Sequence, residues 1–272
     1  MIEEATVVVD GVRVFSRRTG GDGAPVLFVH GNPTHSEDWL PFLGRLERPA
    51  VALDLPGWGR SERPDPARFD ASMNGLAAFL ERFLDVLGIG EYGLVVHDWG
   101  ALALIAAQRD PERLLRTVII NAVPLLPGYR WHWVARMWRR RWVGEALNAT
   151  TSRAATALLL RQARADRRPM PPEFVDMIWR CFDRGTRRAV LELYRSAPED
   201  ALAAAGSGLG KLESPALVVW GARDPYLPPQ FGRLYAERLP DAELLELPDA
   251  GHWPWIDRPD VVDRVVAFID AD

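Results

Sequence analysis

The chain has 272 residues, which suffices for one α/β domain with an inserted lobe or for two small domains. Its hydrophobic content of 48%, charged content of 26% and net charge of −4 are ordinary for a globular protein and give no basic field for nucleic acid. The single cysteine, Cys181, excludes an internal disulfide framework, and no apolar run reaches the roughly 18 residues of a membrane span. Since the first residues also lack signal-peptide features, we expect a cytoplasmic protein with neither membrane nor nucleic acid as a partner.

The first predicted element is a β-hairpin, because Asp10-Gly11 separates two apolar segments and forms a two-residue turn. Short apolar runs rich in β-branched residues then recur, as is typical of parallel strands buried on both faces. These runs cover residues 26–29, 51–53, 94–96, 118–120, 217–220 and 244–247. Helical patterns lie between them, and the clearest one covers residues 76–87 and ends at Gly88. The alternation predicts an α/β fold with a mostly parallel central sheet flanked by helices.

The alternation stops after residue 124, and no convincing strand pattern returns until residue 216. Residues 125–210 instead show helical patterns, which predicts a helical cap, the lid, inserted into a core of residues 1–124 and 211–272. The lid contains five of the 11 tryptophans, and it has 15 arginines against 8 acidic residues. Such arginines commonly lie on a solvated helical surface with their stems over apolar groups. Alternatively, they make the lid positive and favour anionic substrates or products.

Chemically useful side chains follow several predicted strands, at the sheet edge where the active sites of α/β folds lie. His97-Asp98-Trp99-Gly100 follows the run at 94–96 and precedes an apolar helical pattern. Asp98 therefore takes the nucleophile position of the G-x-S-x-G turn between a strand and a helix. Asp224 and His252 follow the last two runs, and the chain order Asp98, Asp224, His252 is the nucleophile, acid, histidine order of this architecture.

An aspartate at the turn predicts a different reaction from a serine or cysteine. A carboxylate is ionised at neutral pH and would attack a saturated carbon to give an alkyl-enzyme ester. We expect His252 to activate water against that ester, Asp224 to orient the imidazole, and the backbone N–H groups of Asn32 and Trp99 to bind the oxyanion. The alternative roles are structural: a helix N-cap at Asp98, a core histidine, and residues that only shape turns or pack.

These motifs resemble those of the α/β-hydrolase superfamily over nearly the full length, in the branch with an Asp nucleophile. His30-Gly31-Asn32-Pro33-Thr34 and His97-Asp98-Trp99-Gly100 resemble the HGNPT and HDWG segments of haloalkane dehalogenases. The resemblance implies cleavage of carbon–halogen bonds in small haloalkanes, with a small apolar molecule and water as the reacting partners. It also implies that the indole N–H of Trp99 and the amide of Asn32 bind the leaving halide.

Epoxide hydrolysis is the alternative reaction, because epoxide hydrolases share the HDWG segment and open epoxides to diols with two lid tyrosines as acids. Leu193-Tyr194-Arg195 resembles one of these tyrosine segments, whereas haloalkane dehalogenases usually lack this tyrosine. Tyr129, the other lid tyrosine, does not clearly match the second. A non-catalytic ligand-binding protein of the same fold is a further reading, which binding without turnover would favour. No metal or other cofactor is expected, since the five histidines lack ligand spacing.

Overall fold

Eight strands form one sheet in the computed structural model, which describes residues 1–271. The strands are β1 (Ile2–Val9), β2 (Val12–Thr19), β3 (Val26–Val29), β4 (Ala50–Leu53), β5 (Tyr92–Asp98), β6 (Leu114–Ala122), β7 (Ala216–Gly221) and β8 (Ala242–Leu247). Their order in the sheet is β1-β2-β4-β3-β5-β6-β7-β8. The β1–β2 and β2–β4 pairs are antiparallel and the other five pairs are parallel. The predicted fold class, with a mostly parallel sheet, is confirmed.

The helices outside the region between β6 and β7 follow the predicted alternation with the strands, and the described chain contains twelve α-helices in all. They are α1 (Leu40–Leu43), α2 (Met73–Val86), α3 (Leu102–Ala107), α4 (Trp133–Arg139), α5 (Val143–Thr150), α6 (Arg153–Leu160), α7 (Pro172–Cys181), α8 (Arg184–Ser196), α9 (Glu199–Ala205), α10 (Gln230–Arg238), α11 (Pro254–Asp257) and α12 (Asp260–Asp270). The α2 helix begins a turn earlier than its apolar pattern, because the Ser72 hydroxyl caps it by accepting the Gly75 N–H at 3.1 Å. None of the helices in the described chain is long and apolar enough to cross a bilayer.

Side-chain alternation along the central strands divides the core between the two faces of the sheet. Leu27 and Val29 pack into one apolar cluster, and Val26 and Phe28 pack into the other. All seven residues of β5 are buried, as expected for a strand covered by helices on both faces. The end of β5 is therefore held firmly in the middle of the sheet, and it positions the residues that follow.

Helices α4 to α9 lie between β6 and β7, and the residues described between these two strands include no strand. Thr186 on α8 ties this region to the loop after β4, because its hydroxyl donates to the Gly57 carbonyl at 2.8 Å. Arg63 reinforces the link by donating to the Cys181 carbonyl at 3.2 Å. The division of the chain into a core of residues 1–124 and 211–272 and a lid of residues 125–210 stays a prediction.

Candidate active site

Asp98 lies at the sharp turn between β5 and α3, with φ of 49° and ψ of −120°. Such positive φ values are uncommon for residues other than glycine and concentrate at functional sites. The turn also needs the glycines beside it. A Cβ on Gly100 would collide with the Val29 carbonyl, and one on Gly31 would collide with Asp98 itself. The local sequence therefore folds so that a strained turn presents the Asp98 carboxylate at the sheet edge.

The Asp98 carboxylate is only 5% exposed, and its oxygen Oδ2 accepts the backbone N–H of Asn32 at 2.7 Å. Burial raises the pKa of Asp98 to about 6, although His252 and the backbone N–H groups of Asn32 and Trp99 oppose the rise. The carboxylate is thus still mainly ionised at pH 7. Desolvation makes it more basic than an exposed aspartate, which favours its action as a nucleophile.

His252 lies between the two aspartates. Its Nδ1 is 2.7 Å from Asp224 Oδ2, and its Nε2 is 3.9 Å from Asp98 Oδ1. A carboxylate only accepts hydrogen bonds, so the neutral ring carries its proton on Nδ1 and turns the lone pair of Nε2 towards Asp98. Burial lowers the pKa of His252, but the charge and hydrogen bond of Asp224, together with the charges of Asp98 and Asp38, more than offset this effect, and the net shift is upward. The arrangement suits a base that takes a proton from water beside Asp98.

Asp224 is itself held by three donors. Asn121 Nδ2 donates to its Oδ2 at 2.7 Å, and the backbone N–H groups of Tyr226 and Leu227 donate to its Oδ1 at 2.8 and 3.1 Å. Asn121 was not singled out in the sequence, although it ends the apolar run of β6 and so lies at the same sheet edge. Its φ of 34° is a second positive value at this edge. Asn121 therefore fixes the orientation of the acid that orients His252.

Trp99, Asn32 and Tyr194 converge on one side of Asp98. Trp99 Nε1 is buried and has no hydrogen-bond partner in the described chain, and the same holds for Asn32 Oδ1. Burial and the charge of Asp98 raise the pKa of Tyr194 well above its usual value, whereas donors on Trp99 and Asn32 oppose the rise. The rings of Trp99 and Tyr194 stand edge to face with their centres 5.1 Å apart, so the indole lies beside this phenol. An unpaired buried N–H of this kind is costly and calls for an acceptor.

A cavity of about 240 Å³ opens onto Asn32 and Tyr194, and Trp99 lies just behind its wall, against the Tyr194 ring. Its wall is mostly apolar and includes Asn32, Asp98, Tyr194 and His252 together with several lid residues. Tyr129 does not line the cavity, and its hydroxyl donates to the Tyr226 carbonyl at 3.4 Å. The second phenol in the wall is Tyr226, whose ring stands edge-on to His252 at 5.2 Å. Tyr226 follows Asp224 by two positions, and only that closeness could have indicated it from sequence.

His132 is another cavity residue that the sequence did not indicate. Its Nδ1 accepts the Ala135 N–H at the start of α4, which leaves the Nε2 position to carry the proton of the neutral ring. Its ring lies 4.8 Å from that of Tyr226. Burial lowers the pKa of His132 to about 4, so the ring is neutral at pH 7. The helical pattern of the lid is weak, so the sequence could not predict that this single histidine lies in the cavity wall.

Known proteins match the chain over most of its length. The α/β-hydrolase fold family matches residues 24–259. A haloalkane dehalogenase of Bradyrhizobium diazoefficiens is 30% identical, over 98% of this chain and 93% of that protein. A cis-3-alkyl-4-alkyloxetan-2-one decarboxylase of Xanthomonas campestris is 29% identical, over 92% of this chain and 90% of that protein. The crystal structure of a haloalkane dehalogenase from Bradyrhizobium elkani has a TM-score of 0.85 at 28% identity, covering 98% of this chain and 97% of that one.

The family match extends from β3 to the start of α12, and so includes every strand of the parallel part of the sheet. It confirms the resemblance to the α/β-hydrolase superfamily that the HGNPT and HDWG segments carry. The similarity to haloalkane dehalogenases holds in both sequence and structure. The chain therefore belongs to the α/β-hydrolase family and is a hydrolase similar to haloalkane dehalogenases.

Proposed function

We propose that this hydrolase cleaves carbon–halogen bonds of small haloalkanes, with Asp98 as the nucleophile. The observation that carries the proposal is the buried, unpaired indole N–H of Trp99, which lies with Asn32 beside the Asp98 carboxylate. A halide leaving an apolar cavity needs such donors, because charge that develops in a dry site is stabilised mainly by oriented N–H groups. The mostly apolar wall of the cavity suits a haloalkane substrate.

The proposed reaction has two steps. First, a carboxylate oxygen of Asp98 bonds to the carbon that bears the halogen, and the electron pair of the carbon–halogen bond leaves with the halide. Second, His252 takes a proton from water, which attacks the ester carbonyl, and the N–H of Asn32 binds the oxyanion. Collapse of this intermediate expels the alkoxide, which takes the proton from His252 and leaves as the alcohol. Asp98 is regenerated as the carboxylic acid and loses its proton to water, so that one proton and one halide are released per turnover. Asp224 stabilises the positive charge that His252 carries between these events.

Replacing Trp99 by Phe is expected to lower the rate of bromide release about a hundredfold. The change keeps the backbone N–H and most of the ring but removes the indole donor, and loss of one preorganised donor costs about 3 kcal/mol. Asn32→Ala should have a similar effect, because it removes the side-chain amide donor. It also keeps the backbone N–H. The measurement is steady-state bromide release from 1-bromoalkanes.

Trp58→Phe is the matched control for the Trp99 variant. Trp58 is also fully buried with an unpaired indole N–H, but among the described residues it has no ring contact with a residue of the cavity wall, whereas the Trp99 ring stands 5.1 Å from that of Tyr194. Its substitution should leave bromide release close to that of the wild type. If Trp58→Phe and Trp99→Phe lowered the rate equally, the effect would be one of packing, and the halide role of Trp99 would be wrong.

Epoxide hydrolysis is the second candidate, because the Tyr194 hydroxyl lies in the cavity wall close to Asp98. A phenol there could protonate the oxygen of an opening epoxide, while Asp98 and His252 act as before. Tyr194→Phe separates the two reactions: it should change bromide release little and should abolish diol formation if epoxides are the substrates. Incubation of the wild type with bromoalkanes and with epoxides, followed by measurement of bromide and of diol, decides between the two reactions.

A cis-3,4-dialkyloxetan-2-one belongs in the same substrate panel, because one relative is named as a decarboxylase of that class.

The pH dependence of ester formation is expected to follow the ionisation of Asp98. Since burial raises the pKa of Asp98 to about 6, the rate of the bromide burst should fall about tenfold for each pH unit below that value.

The second step, ester hydrolysis, needs neutral His252, whose pKa is raised by Asp224. Asp224→Asn removes this charge, so the pKa of His252 falls and the acid limb of the hydrolysis step moves to lower pH. Rapid-quench measurements from pH 4 to 9 test both shifts, and an unmoved limb would contradict the assignment of Asp224.

A further inference from the structure

Residues 130–143 in the lid contain five arginines and no acidic residue. Trp133 and Arg136 are three positions apart on one side of α4, Arg140 directly follows the helix, and all three are exposed. Arg141 and Trp142, which follow, are exposed as well. We call these five residues the basic–aromatic face. It combines positive charge with large apolar rings on one small surface.

The charge of the basic–aromatic face is not neutralised within the protein. Arg139, on the same helix, pairs with Glu199 at 3.1 Å, and Glu145, the next acidic residue along the chain, pairs with Arg195 at 2.8 Å. In the part of the chain that the structure describes, Arg136, Arg140 and Arg141 form no ion pair. The Arg141 guanidinium instead lies 5.3 Å from the centre of the Trp142 ring. The face therefore has positive charge available for an external anionic partner.

Trp142 is held in an unfavourable conformation that exposes its side chain. Its φ is 67° and its ψ is −39°, in the left-handed region that bulky residues avoid, and 73% of the residue is accessible to solvent. Trp133 is 52% exposed and also lines the cavity, so its ring reaches from the cavity wall to the surface. Backbone strain and exposed tryptophan both cost free energy, and such features are typical of surfaces that bind a partner.

We propose that the basic–aromatic face binds the surface of an anionic lipid bilayer. Arginines of a membrane-bound protein pair with anionic headgroups, and tryptophan rings prefer the interface between headgroups and acyl chains. Both requirements are met on the basic–aromatic face, whereas an acidic protein or a nucleic acid would not account for the connection to the cavity. Through Trp133, the bound orientation would bring the cavity close to apolar molecules dissolved in the bilayer. Such binding would differ from the sequence-based expectation that no membrane is a partner, and it requires no spanning helix.

The test is co-sedimentation of the full chain with vesicles of phosphatidylglycerol and phosphatidylcholine, compared with phosphatidylcholine alone. We expect the wild type to bind the anionic vesicles more tightly, and the difference to shrink at high salt. Reversing two charges in R136E/R140E should weaken binding by at least about twentyfold, because each arginine near such a surface contributes roughly fivefold in affinity. W142A should weaken binding about tenfold by removing an inserted ring.

The matched control is K211E/R238E, which changes the net charge by the same amount. Lys211 precedes β7 and Arg238 ends α10, so both lie near the opposite edge of the sheet and are exposed. The control should bind vesicles as the wild type does. Equal loss in both double variants would show attraction by net charge alone and overturn the proposal. So would equal binding to neutral vesicles by the wild type, or tighter binding to a single-stranded oligonucleotide than to anionic vesicles. Each readout is independent of the proposed reaction.

Discussion

Replacing Asp98 by Asn is expected to lower turnover by a factor on the order of 10⁴ or more. A neutral amide cannot form the alkyl-enzyme ester at a useful rate, and loss of a covalent nucleophile removes both steps at once. Bromide release by freshly purified protein measures the effect, and freshness matters because the amide can hydrolyse back to Asp. An initial rate close to that of the wild type would exclude Asp98 as the nucleophile.

The thermal transition of Asp98→Asn controls for damage to the fold. Asparagine tolerates the positive φ at this position as well as aspartate does. Its amide also avoids the unfavourable burial that raises the pKa of the carboxylate. We therefore expect a melting temperature at or above that of the wild type. Lost activity at undiminished stability would assign the effect to chemistry.

Replacing His252 by Gln is expected to stop the reaction after one turnover. Asp98 needs no base to attack, so the ester should form, but water is no longer activated against it. One equivalent of bromide should be released per protein, and mass spectrometry should detect Asp98 carrying the alkyl group of the substrate. The double variant Asp98→Asn, His252→Gln is the control and should form no adduct. Repeated turnover by His252→Gln without an adduct would contradict the two-step scheme.

The sheet could be predicted from sequence because its strands carry a strong and local signal. Buried strands such as β3 and β5 are continuous apolar runs, and the Asp10-Gly11 turn identifies the first hairpin. The bounds of the lid helices could not be predicted in the same way. Breaks such as that after Arg139 depend on packing between α4, α5 and α8 rather than on the local pattern. Tertiary contacts override weak helical periodicity there.

The candidate site could be predicted in part. Asp98, Asp224 and His252 each follow a recognisable strand, so chain order alone indicated that they meet, and the structure brings them together. Asn121 and Tyr226 also lie at strand ends, but an amide and a phenol are too common in turns to be singled out. His132 comes from the lid, where no strand end limits its location. The chemical roles of all these residues stay predictions until the variants are measured.

The contacts that orient His252 have a consequence for how this chain folds. Asn121 and Asp224 are 103 positions apart, and the hydrogen bond from His97 to the His252 carbonyl spans 155 positions. Loop closure over such separations costs only slightly more entropy than over short ones, but it slows folding because distant segments must find each other. We therefore expect the reactive geometry to be assembled late, after the local helices and hairpin have formed. Recovery of activity during refolding should then follow the docking of the last strands rather than the initial collapse.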